Sequence, residues 1–250
     1  MGFEYLTNVP LAQARKEYLE RLVSGGFGSK TETIPVFESC GRVTAKAVYA
    51  HICAPHYAAS AMDGVAVSAK ETFGATETTP VTLKPDQFLV LDTGDPIPED
   101  KDAVIMVEDI VKNGDGSITI HAAAAPWQHI RQIGEDICAG EMILPSHMTV
   151  SPAAIGAMIA GGVLEIEVIR KPVVGIIPTG DEIIPPCTDP KPGDILEFNG
   201  SIFSAMVRSW GAEAVVYPIV PDKFDQIKEM VAKAADECDM VILNAGSSAG

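Results

Sequence analysis

Residues 171–184, with the sequence KPVVGIIPTGDEII, decide the fold of this chain. The apolar run at 173–177 shows no alternation with polar residues, which is typical of a strand covered on both faces in a parallel sheet. A polar turn follows, Thr179-Gly180-Asp181-Glu182. Because ligands of open α/β sheets bind beyond the carboxyl ends of the strands, this turn is a candidate site as well as a candidate solvated turn. Its two adjacent carboxylates offer the oxygen ligands that a divalent cation prefers.

The sequence after this strand continues in a regular order of helices and strands. Helices are predicted at 201–209 and at 224–235, the second capped by Asp222, and strands at 214–217 and 240–243. This order predicts a parallel sheet covered by helices, with right-handed crossovers. The final small-residue loop, 244–250, can present N–H groups to an anion. Since three strands make an incomplete sheet, we expect the sequence to be a piece of a longer protein.

Residues 51–127 differ in character, because short β-rich runs alternate with Gly, Pro, Asn and Asp turns. Their spacing predicts a small barrel or sandwich, with strands at 65–67, 81–84, 88–91, 103–107 and 117–121. Two polar loops stand out, ASAMDG at 59–64 and DTGDPIP at 92–98. Since Asp-Gly and Gly-Asp-Pro are turn sequences in their own right, each loop taken alone is most simply a turn.

The segments on either side of this β-rich region share a mixed helix-and-strand pattern. Apolar residues at helical spacing predict a first helix that ends near Gly25, namely Leu11, Tyr18, Leu19, Leu22 and Val23. A strand is predicted at 31–37, a second helical stretch at 38–50, a helix at 153–160 and a strand at 163–169. Ser151 and Pro152 suit the start of the helix at 153–160. We therefore expect the β-rich region to be inserted into a domain that closes afterwards.

Composition excludes several classes of function. The formal net charge of −16 disfavours a nucleic-acid surface, which requires clustered Lys and Arg. No apolar run reaches the roughly 18 to 20 residues of a membrane span, and the N-terminus does not have the pattern of a signal peptide. The scattered cysteines favour a reducing cytoplasm over a disulfide framework or a zinc site; they are Cys40, Cys53, Cys138, Cys187 and Cys238.

Taken together and in this order, the polar loops are far more specific than any one of them. They are Ser60-Ala61-Met62-Asp63-Gly64, Thr93-Gly94 with Pro96 and Pro98, Ile130-Arg131 with Gly134-Glu135-Asp136, Thr179-Gly180-Asp181-Glu182, and Gly193-Asp194-Ile195 with Asn199. Over essentially its whole length the chain resembles the molybdopterin molybdenumtransferase family, the MoeA-like proteins to which the C-terminal domain of gephyrin also belongs.

The resemblance implies a mixed α/β, multidomain fold. An elongated α+β N-terminal domain would comprise residues 1–50 and 128–171, and a β-rich, barrel-like domain at 51–127 would be inserted into it. Residues 172–250 would form a MogA-like, three-layer α/β domain that binds molybdopterin and is incomplete here. The resemblance also implies a homodimer whose cleft lies between the α/β domain of one subunit and the β-rich domain of the other.

The reaction implied by the resemblance inserts molybdate into adenylylated molybdopterin, releases AMP and uses Mg²⁺. Cleavage of a phosphoanhydride requires neutralisation of phosphate charge and positioning of the incoming oxyanion. Catalytic and metal-binding roles fall on Asp63, Asp181 and Glu182. The implied substrate-binding residues are Thr93, Gly94, Arg131, Thr179, Gly180, Glu197, Asn199, Gly246, Ser247 and Ser248. Implied partners are the pterin and oxyanion substrates, a second copy of the chain and a MogA-like adenylyltransferase, and the piece itself is expected to be inactive.

Departures from the family pattern leave alternatives open. Glu197-Phe198-Asn199 stands where the family usually has Asp-x-Asn, Gly200 replaces a basic residue, and Ala245 replaces a glycine. These changes are compatible with an insertase that prefers tungstate, or with a non-catalytic pterin-binding or scaffold protein. A generic α/β protein with turn-rich loops is a third alternative, which requires the order of the matches to be chance.

Overall fold

The computed structural model describes residues 9–245, which divide into two compact units. One unit, called here the α/β unit, comprises the described residues up to Glu32 and those from Ile169 onward; the other, called the β-rich unit, is Thr33–Val168. Each unit combines segments that the sequence assigns to different domains, so the predicted domain boundaries stay a prediction. Among the described residues, no helix combines the length and the apolar character that crossing a bilayer requires.

The described residues form four α-helices and seventeen short strands. The helices are α1 Leu11–Ser24, α2 Pro152–Ala160, α3 Asn199–Ser209 and α4 Phe224–Glu237. The strands are β1 Thr31–Pro35, β2 Val48–Tyr49, β3 Ala59–Ser60, β4 Gly64–Val67, β5 Val81–Leu83, β6 Phe88–Leu91, β7 Ala103–Met106, β8 Ile110–Lys112, β9 Ile118–Ile120, β10 Ile130–Arg131, β11 Met142–Leu144, β12 Glu165–Ile169, β13 Val173–Pro178, β14 Ile183–Ile184, β15 Ile195–Leu196, β16 Glu213–Val216 and β17 Met240–Asn244.

Strand β13 is the centre of the α/β unit. It pairs in parallel with β16 on one side and β17 on the other, as the strand and helix order predicts. Ile176 and Ile177 are completely buried, and Ile177 belongs to a core shared with Tyr217, Val220 and Ala234. Helices α3 and α4 both pack against β13. The continuous apolar run therefore forms the covered central strand that its pattern indicates.

Two details of the α/β unit differ from the sequence-based prediction. Asp222 does not cap α4: the N-cap position is Lys223, and no side chain caps the helix. The backbone N–H of Asp222 donates a hydrogen bond to Asp181. Strand β17 is only half-buried, with Leu243 45% exposed. Among the described residues β17 pairs on one side only, which leaves its outer edge open.

The β-rich unit contains two three-stranded antiparallel sheets, ordered β6-β4-β7 and β5-β9-β8. Their apolar side chains form one core, which includes Val65, Leu83, Ile105 and Ile120. The barrel-like arrangement is not confirmed. A closed barrel requires every strand to be paired on both sides, whereas in the described part of the chain the outer strands of each sheet pair on one side only.

A second core of the β-rich unit includes α2, which begins and ends as predicted. The Ser151 hydroxyl oxygen accepts a hydrogen bond from the Ala154 N–H at 3.2 Å, and Gly161 ends the helix. The helix predicted at 38–50 is wrong, because this segment forms turns, isolated bridges and β2. Gly41 has φ +74°. The buried Thr44 hydroxyl donates to the carbonyl of Pro145 at 2.8 Å, a long-range contact that an extended backbone permits.

Candidate functional site

Asp63 lies just beyond β3 and is held by a residue of the next polar loop. Its Oδ1 accepts hydrogen bonds from the Thr93 hydroxyl and from the Thr93 backbone N–H, both at 2.7 Å. These two donors, the hydroxyl first, lower the pKa of the Asp63 carboxyl. Both residues are exposed. The arrangement therefore presents a fixed, ionised carboxylate to solvent.

Strand β3 brings the polar loops of the β-rich unit together. The completely buried Ser60 donates its backbone N–H to the carbonyl of Asp95 and accepts from the N–H of Gly94, both at 2.8 Å. On its other side β3 pairs antiparallel with β10, which places Arg131 opposite Ala59. Three of the loops singled out in the sequence are thus positioned by one two-residue strand.

Gly64 fixes the backbone immediately after Asp63. A Cβ at this position would lie 2.0 Å from the carbonyl oxygen of Ile105 in the neighbouring strand β7. The carbonyl of Asp63 also accepts a hydrogen bond from the Val107 N–H at 3.0 Å. Only glycine fits such a close approach of two strands, so this glycine secures the base of the Asp63 loop.

The guanidinium of Arg131 is already paired within its own loop. Its Nε donates to Glu135 at 3.1 Å and its Nη2 to Asp136 at 2.5 Å. These bonds, Asp136 first, raise the pKa of Arg131. Because one cation faces two carboxylates, the group is net negative and an anionic substrate would compete with both acids. The predicted substrate-binding role of Arg131 stays a prediction.

The turn after β13 is built on the carboxyl ends of two parallel strands. Thr179 is buried and donates its N–H and its hydroxyl to the carbonyl of Asn244, at 2.9 and 3.2 Å. Gly180, with φ +146°, donates its N–H to the carbonyl of Val220 at 3.1 Å. Both predicted substrate-binding residues therefore have structural bonds that fix the turn to its neighbours.

Asp181 and Glu182 extend from this turn into solvent. Oδ1 of Asp181 accepts one long hydrogen bond, 3.3 Å, from the backbone N–H of Asp222. The Glu182 side chain lies over the turn, so that a Cβ added to Gly180 would be 3.2 Å from its Oε2. The two acids are adjacent, exposed and more loosely held than Asp63.

A cavity of about 580 Å³ opens beside this turn, at the carboxyl end of β13. Gly180, Asp181 and Glu197 line it, while Glu182 lies outside its wall. The remaining wall is largely apolar and rich in proline, formed by Pro178, Ile183, Pro185, Pro186, Val216, Tyr217, Pro218, Ile219 and Pro221. The sequence analysis identified the acids but not this wall. The prolines that follow β13 and β16 are the sequence feature that could have indicated it.

Glu197 occupies the start of α3. Its Oε1 accepts the backbone N–H of Gly200 at 2.6 Å, and a Cβ on Gly200 would lie 2.9 Å from its Oε2. The two departures from the family pattern therefore form one arrangement, since the longer acid fills space that glycine leaves open. Asn199, half-buried, is the first residue of α3.

The predicted residues Gly246, Ser247 and Ser248 lie outside the described residues. For Mg²⁺, the described residues contain no group of three or more His, Cys, Asp or Glu side chains able to hold a metal ion. Mg²⁺ in phosphate chemistry is commonly bound by one or two carboxylates, with substrate phosphates and water as the other ligands. The adjacent carboxylates of Asp181 and Glu182 are a donor set of that kind and fit the ion.

Comparison with known families excludes one alternative that the sequence leaves open, the generic α/β protein. A family model described as "MoeA N-terminal region (domain I and II)" matches residues 9–162. The chain belongs to the MoeA family. A second model, described as a "Probable molybdopterin binding domain", matches residues 175–250. These matches confirm the resemblance inferred from the polar loops, and with it a mixed helix-and-sheet fold in which N-terminal domains precede a MogA-like domain.

Individual relatives agree with this membership. The chain is 34% identical over 234 residues to molybdopterin molybdenumtransferase 2 of Mycobacterium tuberculosis, which covers 87% of this chain and 58% of that protein. It is 30% identical over 252 residues to the molybdopterin molybdenumtransferase of Haemophilus influenzae, covering 96% of this chain and 61% of that protein. The chain thus spans about three fifths of the length of these curated relatives.

The structural comparison gives the same result. The crystal structure of a molybdopterin biosynthesis MoeA protein from Pyrococcus horikosii superposes with a TM-score of 0.81 at 29% sequence identity. The match covers 95% of this chain and 63% of that one. The fold described above is therefore that of MoeA proteins.

Proposed function

We propose that this protein inserts molybdate into adenylylated molybdopterin and releases AMP, as part of molybdenum cofactor biosynthesis. The observation that carries the proposal is the cavity at the carboxyl end of β13, whose wall contains the sequence-predicted Gly180, Asp181 and Glu197. The names of the curated relatives support the reaction type, since both relatives described above are molybdopterin molybdenumtransferases.

The shape and chemistry of the cavity suit a pterin. Ligand sites of this size combine apolar walls with a few polar groups that fix orientation. Prolines supply apolar surface, while Asp181 and Glu197 supply two carboxylates. Carboxylates accept hydrogen bonds from the N–H groups of a heterocycle. We assign the cavity to the pterin, with its N–H groups toward the acids.

Asp63, Asp181 and Glu182 are the acids proposed to act on the phosphoanhydride part of the substrate. Mg²⁺ held by such carboxylates would neutralise charge on the phosphate oxygens as the anhydride bond breaks. The two hydrogen bonds of 2.7 Å from Thr93 hold the Asp63 carboxylate in one orientation and lower its pKa. Gly94, whose φ is +94°, lets the backbone beside Thr93 turn sharply at the surface.

We further propose that the protein acts as a homodimer and receives its substrate from a MogA-like adenylyltransferase. The Asp63 loop and the Asp181–Glu182 turn lie in different compact units. A site that requires both can be completed by a second copy of the chain, and a two-fold symmetric dimer completes two such sites.

A second candidate function, a non-catalytic pterin-binding or scaffold protein, is favoured by one observation. The Glu197 carboxylate lies on the first turn of α3 and accepts the Gly200 N–H at 2.6 Å. The N-terminus of a helix is a favourable place for an anion. Since a protein carboxylate already takes this position, an incoming oxyanion would be repelled there.

Reconstitution separates the two functions. Because the chain alone is expected to be inactive, it is assayed within a protein that spans the full length of its curated relatives. That protein is incubated with adenylylated molybdopterin, Mg²⁺ and either molybdate or tungstate, and AMP is measured by chromatography. Release that depends on molybdate supports the proposed insertase, and release that depends on tungstate alone would assign the other metal. Binding of the pterin without AMP release under either oxyanion would contradict the insertase function and support the scaffold function.

A further inference from the structure

Two cysteines far apart in the sequence lie against the same glycine. A Cβ placed on Gly134 would be 3.0 Å from Sγ of Cys138 and 3.5 Å from Sγ of Cys53. Because both distances start from one point, their sum is the upper limit of the separation between the sulfurs. Cys138 is exposed and Cys53 is half-buried, and both are reduced.

The backbone around the two cysteines has the pairing that a cross-strand disulfide requires. Ala54 and Ile137 form an antiparallel bridge in which each N–H donates to the carbonyl of the other, at 2.8 and 3.0 Å. Residues next to such a hydrogen-bonded pair face each other as a non-hydrogen-bonded pair, with Cα atoms about 4.5 Å apart. In this register Cys53 is opposite Cys138, and disulfides span Cα separations of about 4.4 to 6.8 Å.

Backbone hydrogen bonds hold both sulfurs in place. The Cys138 thiol donates to the carbonyl of Gly134 at 3.3 Å, and Sγ of Cys53 accepts the N–H of Ala139 at 3.3 Å. In the part of the chain that the structure describes, no third His, Cys, Asp or Glu joins them in a group able to hold a metal ion. The pair is therefore suited to oxidation rather than to metal binding.

We propose that Cys53 and Cys138 are a redox-active dithiol that oxidises to an intramolecular disulfide by exchange with a low-molecular-weight disulfide such as oxidised glutathione. The exposed Cys138 thiolate attacks one sulfur of glutathione disulfide and displaces one glutathione thiolate. The Cys53 thiolate then attacks Sγ of Cys138 in the mixed disulfide and displaces the second. The two protons lost by the cysteines balance the two glutathione thiolates, so that one disulfide is reduced as one forms.

The bond would close a loop that carries most of the polar residues described above. Residues 54–137 lie between the two cysteines and include Asp63, Thr93 and Arg131. The same two connecting segments are already joined by the hydrogen bond from the Gly134 N–H to the carbonyl of Pro55, 2.9 Å. Oxidation would lock these segments together whether or not the protein inserts molybdenum.

The test uses the protein alongside a variant, Cys40→Ser/Cys187→Ser, that has no other exposed cysteine among the described residues. Each is incubated with oxidised glutathione, quenched in acid and analysed by intact mass and peptide mapping. We expect the double variant to lose about 2 Da, the mass of two hydrogens, without a retained glutathione, and mapping to show a Cys53–Cys138 peptide pair. In the unmodified protein, which has five cysteines, the thiols of Cys53 and Cys138 should form the same disulfide.

Single variants in the Cys40→Ser/Cys187→Ser background test the order of attack. Cys53→Ser should accumulate glutathione on Cys138, because the resolving thiol is gone, while Cys138→Ser should react more slowly, since Cys53 is half-buried. A stable glutathione adduct on Cys138 when Cys53 is present would overturn the proposal. The proposal would also be overturned by a disulfide that joins Cys53 or Cys138 to another cysteine. It would be overturned as well if Cys40 and Cys187 of the unmodified protein reacted while Cys138 did not.

Discussion

The Asp63 loop and the Asp181–Glu182 turn differ in how firmly hydrogen bonds hold their carboxylates. In the β-rich unit, one oxygen of Asp63 accepts two hydrogen bonds of 2.7 Å, both from Thr93. In the α/β unit, Asp181 accepts one of 3.3 Å from the backbone of Asp222. Short bonds to an ionised oxygen are strong, whereas bonds near 3.3 Å are weak. The comparison suggests that the Asp63 loop is preorganised and that the Asp181–Glu182 turn adjusts when a ligand binds.

The glycines beside the two acidic loops show the same contrast. A Cβ on Gly64 would meet a backbone carbonyl oxygen of β7 at 2.0 Å, whereas one on Gly180 would meet Cγ1 of the Ile183 side chain at 2.7 Å. A strand backbone cannot move away without breaking its ladder, but a side chain can change its rotamer. The Asp63 loop therefore tolerates less change than the turn.

The largest expected effect comes from Gly64→Ala. The clash with Ile105 should lower the free energy of unfolding by about 3 kcal/mol or more, as overpacking against a fixed neighbour does. Gly180→Ala, the matched variant in the α/β unit, should cost less, because Ile183 can move and the remaining cost is the backbone strain of alanine at a φ of +146°, about 1 to 3 kcal/mol. Urea unfolding of both variants measures the difference. Equal losses for the two would mean that the loops do not differ in rigidity.

The next effect concerns activity. In the full-length protein used for reconstitution, Asp63→Ala and Glu182→Ala should each reduce molybdate-dependent AMP release by about 10²-fold or more, the size that removal of one charge-stabilising group commonly has. Asp86→Ala, which removes an exposed acid from a turn of the β-rich unit, should leave the rate unchanged. Circular dichroism spectra check that all three variants are folded. Full activity in both active-site variants would contradict the assignment of these acids.

A fixed carboxylate away from the proposed site should affect stability instead of activity. Asp239 accepts hydrogen bonds from Lys30 at 2.8 Å and Arg170 at 2.5 Å. Burial alone would raise the pKa of Asp239, but the bonds from Lys30, from a backbone N–H and from Arg170 lower it from 3.8 to about 2. A lowered pKa stabilises the folded state above the unfolded value, and this contribution disappears as pH falls from about 4 to about 2.

The corresponding variant is Asp239→Asn. Near neutral pH it should lose about 2 kcal/mol of unfolding free energy, and near pH 2 the difference from the unmodified protein should largely vanish. Asp236→Asn, an exposed acid of α4, is the control and should show neither effect. Unfolding by urea at several pH values measures both, and a loss that is independent of pH would refute the role of the Asp239 charge.

The smallest expected effect is on a pKa alone. Thr93→Val removes the hydroxyl that contributes most to lowering the pKa of the Asp63 carboxyl, while the backbone N–H remains. The pKa of Asp63 should therefore rise toward its usual value, with little change in stability, because both residues are exposed. A carboxyl-detected NMR titration measures it. An unchanged pKa would show that the hydroxyl does not hold the acid.

Much of the fold was accessible from the sequence because the decisive signals are local. The apolar run of β13 and the Ser151-Pro152 start of α2 both predict what the structure contains. The error at 38–50 has a long-range cause. Alanine and valine in that segment are compatible with a helix, but the contact from Thr44 to Pro145 joins residues about a hundred positions apart and favours an extended backbone.

The candidate site divides in the same way. The acids could be chosen from their loops, but the wall of the cavity depends on which strands are neighbours. The position of Cys53 opposite Cys138 was hidden for the same reason, since the spacing of the cysteines in the sequence suggested only scattered thiols. Sequence patterns of this kind indicate which residues are suited to chemistry, while the pairing of distant segments decides which of them meet.

The measurement that tests the central proposal most directly is complementation between two inactive variants. Asp63→Ala and Glu182→Ala proteins are mixed in equal amounts, exchanged by mild unfolding and refolding, and assayed for molybdate-dependent AMP release. If one subunit supplies Asp63 and the other supplies Glu182, half of the dimers contain one intact site, and about a quarter of the unmodified activity should return. Activity that stays at the level of the separate variants would contradict a site shared between two copies of the chain.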